Sequence, residues 1–151
     1  MANMKTGILA VASHYESGGQ RAEALIANAV NALEKRGVDT VAGSKVVWDA
    51  ADAIDVCRQF KEEQVDSLTI ILSTWVTDSL LYVLVHEMQV PVVFWAVPYT
   101  ETFSIGCVQH FGSALTTHGI PYEYVYGLAD DAAVVDKVAK VAQVGSIIKR
   151  V

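Results

Sequence analysis

Three polar segments concentrate the groups able to do chemistry in this chain: Ser13-His14-Tyr15-Glu16, Ser73-Thr74-Trp75 and Pro98-Tyr99-Thr100-Glu101. Each follows an apolar run. A histidine exchanges a proton near neutral pH, carboxylates take protons or accept from hydroxyls, and aromatic rings offer flat apolar faces with a polar handle. With Lys45 to Trp48 and Gly127 alongside, the set suits a polar, hydroxyl-bearing small molecule. His14 could donate a hydrogen bond, act as a base or carry a phosphoryl group, or it could be a loop histidine capping the next helix. Glu16 reads more simply as a carboxylate favoured by a helix N-terminus, and Glu101 has the same alternative. Trp75 stands after the saturated apolar run Leu68 to Leu72, which favours a ligand or interface platform over a core plug. Trp48 reads as a packing residue and Trp95 as core.

These segments share one edge only if the elements around them form successive βα units. Runs rich in β-branched residues alternate with stretches of helical period, and five rounds can be read. The strands are expected near residues 5–12, 38–43, 67–73, 90–97 and 121–126, and the helices near 17–36, 49–63, 77–88, 105–118 and 130 to the end. Gly37 and Gly119 mark two helix ends, Asp49 and Ser104 are candidate N-caps, and the second helix should bury Ala53, Ile54, Cys57 and Phe60. The third helix is apolar nearly all round ("LLYVLV"), which predicts burial by the sheet on one side and by another chain or domain on the other. On the fourth helix, His110 lies opposite the face of Ile105, Val108, Gly112 and Leu115, with Gln109 to its side. The expectation is one domain over residues 1–151: a three-layer α/β/α sandwich on a five-stranded parallel sheet, flavodoxin-like or Rossmann-like, with ligands at the carboxyl ends of the strands.

Composition removes several classes of function. With 52% hydrophobic and 19% charged residues the chain is a globular mixture, and its formal charge of −6 disfavours nucleic acid. The basic pairs Lys35-Arg36 and Lys149-Arg150 sit near expected helix C-termini, where the dipole favours cations. No apolar run approaches the roughly 20 residues of a membrane span. Cys57 and Cys107 match no metal-ligand spacing, so a reducing cytoplasm is expected. There is no G-x-G-x-x-G and no P-loop lysine. Glu16 puts negative charge where a flavin phosphate would sit, and Ser73 stands where a receiver domain needs aspartate.

"VASHYESGG", "TWVTDSLLYVLVHEMQVPVVFWAVP" and "SIGCVQHFGSALTTHGIPYEYVYG" resemble, in this order, the N-terminal region of L-fucose isomerase and L-arabinose isomerase type proteins. The resemblance implies a Rossmann-like domain that packs into a trimer or hexamer and leans its strand-end loops over a neighbour's sugar. It also implies aldose–ketose interconversion at a manganese ion held by later domains, so the cofactor belongs to the full-length enzyme and this chain holds none. Carried over, Trp75 matches the aromatic brought to a neighbour's sugar and His14 lies near the first-turn substrate contact. Gln109 and His110 match the helix segment turned to the cleft. Tyr15, Tyr99 and Glu101 complete the expected sugar-binding set from the strand-end reading. "VASH" with "STW" also resembles mannose-type phosphotransferase IIA domains, in which the histidine is a phosphocarrier; there an aspartate precedes the Thr-Trp pair, and Ser73 replaces it here.

Overall fold

The computed structural model describes residues 4–150. Five strands form one all-parallel sheet in the order β2-β1-β3-β4-β5: β1 Lys5–Val11, β2 Asp39–Ala42, β3 Ser67–Leu72, β4 Val92–Ala96 and β5 Glu123–Tyr126. The helices are α1 Ala22–Glu34, α2 Ala50–Glu62, α3 Asp78–Met88, α4 Ser104–Thr117 and α5 Ala132–Arg150. This is the flavodoxin-like order, with its reversal between β1 and β3. The side chains of the expected basic pair Lys149-Arg150 lie outside the described residues.

The sheet separates two cores. Leu9, Leu68, Ile70 and Phe94 face α2, α3 and α4, while Ile8, Ile71, Val93 and Trp95 face α1 and α5. All six residues of β3 and all five of β4 are buried, as strands covered on both faces must be. One polar pair crosses this interior: the hydroxyls of Thr6 and Thr69 hydrogen-bond each other at 3.0 Å between β1 and β3. Both thiols are buried too, and desolvation pushes Cys57 and Cys107 each up to about 11.

Several local expectations hold. Asp49 caps α2 by accepting from the Asp52 amide at 2.8 Å, and Gly37 and Gly119 follow their helices at φ +77° and +70°. Others need correction. Ile54 is 45% exposed; the buried face is Ala53, Val56, Cys57 and Phe60, and Ile54 sits one residue, about 100° of helix, off that stripe. Ser104 is not a cap: Phe103 holds the N-cap position without a side-chain bond, and Ser104 points inward. The first helix does not start at residue 17 but runs from a 3-10 turn at Gly19–Arg21 into α1.

The flanks of α3 are partly covered within the chain. This is the middle helix of three on its face, so Val83 and Val85 are partly covered within the chain, and Tyr82 is its one large apolar side chain to stand half exposed among the described residues. The described exposed apolar stripe is instead Val144, Ile147 and Ile148 of α5, each at least half exposed and spaced to share one helix face.

Candidate functional site

At the strand ends, short polar side chains sew three loops together. The Ser73 hydroxyl donates to the Gly18 carbonyl at 2.6 Å. Thr74 Oγ1 accepts from the Ser13 amide at 2.7 Å and donates to the Trp75 carbonyl at 2.8 Å. Ser104 Oγ donates to the Leu72 carbonyl at 2.8 Å and accepts from the Val97 amide at 3.1 Å, so α4 starts fixed to the ends of β3 and β4. Ser73, Thr74 and Ser104 are at most 1% exposed, and each replaces a backbone partner that a strand end leaves unmade. Gly18 has φ +129° and lies so close that a Cβ there would be 2.7 Å from the Ser73 carbonyl oxygen, which explains a glycine at this turn.

Glu16 reaches from the first loop into this knot. Its Oε2 accepts from the Trp75 amide at 2.9 Å, from the Phe103 amide at 3.2 Å and from the Thr102 hydroxyl. Partial desolvation alone would raise its pKa, but the bonds from Thr102, Trp75 and Phe103 together outweigh it and hold the carboxyl below its ordinary range. An ionised carboxylate with three donors is a structural acceptor and a weak base. Glu101 is committed as well: it pairs with Arg21, whose guanidinium carbon lies 3.8 Å above the centre of the Tyr99 ring. Arg21 Nη1 is buried without a hydrogen-bond partner.

Around the knot stand rings. His14 stacks on Trp48 with centroids 4.1 Å apart and planes 6° from parallel, and the edge of the Trp48 indole approaches Gly19, where a Cβ would come within 2.4 Å of it. Tyr15 is 94% exposed and Phe103 64% exposed; Trp75 is half-buried, its ring against the core under α3 and α4. Trp95 is core, as expected, and its indole N–H donates to the Gly127 carbonyl at 2.9 Å.

The structure therefore brings Trp75 together with Glu16 and Thr102, Tyr99 together with Glu101 and Arg21, and His14 together with Trp48. Gln109 and His110 lie on the outer face of α4, where His110 Nε2 meets Asp78 Oδ2 of α3 at 3.0 Å; no described bond or ring contact ties them to the other candidates. Sequence reasoning missed Arg21 and Thr102 and undervalued Glu16. Thr102 had a signal, a hydroxyl four residues after the strand-end proline; Arg21 had none, because its partners come from a loop about 80 residues away.

Among the described residues no three of His, Cys, Asp and Glu converge to hold a metal ion, so the described side chains do not fit the manganese that the resemblance implies for the whole enzyme. No helix among them is long and apolar enough to cross a membrane. In comparisons with known proteins, no family model matches the chain and no curated protein matches it either.

Proposed function

We propose that this chain is the sugar-covering and subunit-forming domain of an L-fucose/L-arabinose-type aldose–ketose isomerase, and that its strand-end rim contacts a polyhydroxylated ligand without performing the chemistry. The observation that carries the reading is the division of labour at the rim: rings are presented and carboxylates are tied down. Tyr15 and Phe103 stand exposed at the strand-end edge, beside the partly buried Trp75 and the His14–Trp48 pair. Glu16 and Glu101, the acids a proton transfer would need, are held by amides, Thr102 and Arg21. The three segments that resemble the family include Glu16, Thr74, Trp75 and Ser104 of this knot and run on through α3, β4, α4 and β5. Self-association is expected through the α5 stripe of Val144, Ile147 and Ile148 rather than through α3.

A titration with L-fucose, L-arabinose and their alditols, followed by amide and indole NMR, tests the reading. Saturable shifts at Tyr15, Trp75 and Phe103 are expected; their absence at high sugar concentration, or shifts confined to other faces, would sink it. Light scattering should show an oligomer that Ile147→Lys dissociates. The competing phosphocarrier function of His14 predicts acid-labile phosphate after incubation with sugar-phosphotransferase phosphodonors. Its support is weakened by the partner His14 has: an indole, with no described carboxylate bonded to it. An unchanged mass is the expected result.

A further inference from the structure

Between α1 and the β5–α5 connection a cleft of about 530 Å³ opens on the α1/α5 side of the sheet. Its floor is Ile71 of β3 and Trp95 of β4, and Leu25 and Leu128 line the two walls. The volume falls in the range of small-molecule sites, and the concave form favours a compact ligand over a protein surface.

The polar groups at its border specify the ligand further. Asn28, Asn31 and Lys35 line the cleft from successive turns of one helix flank and its end. Among the described residues no carboxylate pairs with Lys35 and neither carboxamide is hydrogen-bonded within the chain, whereas the neighbouring Arg36 is held by Asp136 at 2.6 Å. Lys35 is thus the cation left to a ligand, and Asp130 on the opposite wall repels a second anion while it can accept from a donor. We propose that this cleft binds a flat aromatic acid of one or two rings: the rings lie between the partly exposed Leu25 and Leu128, above the nearly inaccessible Ile71 and Trp95, the acid meets Lys35, and Asn28 and Asn31 read the edge. Tyr99, which carries Arg21 over its ring, also lines the cleft, so the site adjoins the strand-end rim, but ligand binding here does not rest on the sugar contact proposed for that rim.

Naphthalene-2-carboxylate and its neutral carboxamide, titrated into the full chain by calorimetry and amide NMR, provide the test. One acid per chain should bind, with shifts at Asn28, Asn31 and Leu128. Lys35→Met should weaken the acid by about fivefold, the scale of a solvent-facing ion pair, and leave the carboxamide unchanged. Ala129→Phe fills the cleft from its loop wall and should abolish both; Ala32→Phe closes it from the helix and substitutes if the first variant does not fold. The proposal is overturned if neither probe saturates, if Lys35→Met binds the acid as tightly as the parent chain, or if binding survives a folded cleft-filling variant.

Discussion

The strand-end edge has two unlike halves. Over β3 and β4, Ser73, Thr74, Ser104 and Glu16 are tied by backbone-directed hydrogen bonds, and three of these four side chains are nearly inaccessible. Over β1 and β2, His14 and Trp48 are held by stacking, and Tyr15 is anchored only at its amide, which donates to Ser13 Oγ at 3.1 Å. A buried polar group without its partner costs far more than an exposed ring without its neighbour, so the first half sets geometry and the second half is left to meet what binds. Substitutions that empty the knot should therefore lower stability, and those on a fully exposed ring such as Tyr15 should change contacts alone.

Ser104→Ala should have the largest effect, about 2–3 kcal/mol in denaturant melts, because the Leu72 carbonyl and the Val97 amide lose their buried partner. Trp75→Ala removes a half-buried ring but keeps the amide that Glu16 uses, so a loss of about 2 kcal/mol is expected, short of the roughly 3–5 of a fully buried aromatic. A loss in the full core range would move Trp75 from the rim into the core. Glu16→Ala should cost about 1–2 kcal/mol at neutral pH by leaving the Phe103 amide and Thr102 hydroxyl to water.

That third difference depends on pH with a defined sign. The folded-state pKa of Glu16 lies below its ordinary 4.5, so its contribution is complete above the unfolded value and is lost as pH falls through the folded one. Melts of parent and variant should draw together as pH falls below 4.5; parallel curves would show that the charge is not what the clasp uses. At the small end, Tyr15→Ala should stay within about 0.5 kcal/mol of the parent chain while weakening any rim ligand. A stability change above that would join the two halves into one.

Much of this fold was legible because parallel strands covered on both faces must be continuous apolar runs, and "SLTIIL" and "VVFWA" are unmistakable in that respect. Strand order was not, since nothing in a periodicity says which neighbour a strand selects. Ile54 was misplaced because hydrophobicity alone cannot separate positions one residue apart at the border of a helical stripe. Ser104 was misread because a serine before an apolar helix has two uses, capping its own amides or bonding neighbouring strands, and the choice depends on a tertiary approach. The locations of His14, Tyr15, Trp75, Tyr99 and Glu101 at strand-end loops followed from the βα rhythm. Their partners did not, for Glu16 with Phe103 and Arg21 with Glu101 join loops that are distant in sequence.

The two buried thiols have a practical consequence. With pKa values of about 11, each is ionised in only about one molecule in ten thousand at pH 7, and the thiolate is the species that alkylating reagents capture. The native chain is thus a nearly silent background for thiol chemistry. A single cysteine introduced at an exposed position such as Tyr15 would take up a spectroscopic label almost alone, without prior removal of Cys57 or Cys107 from the interiors they fill.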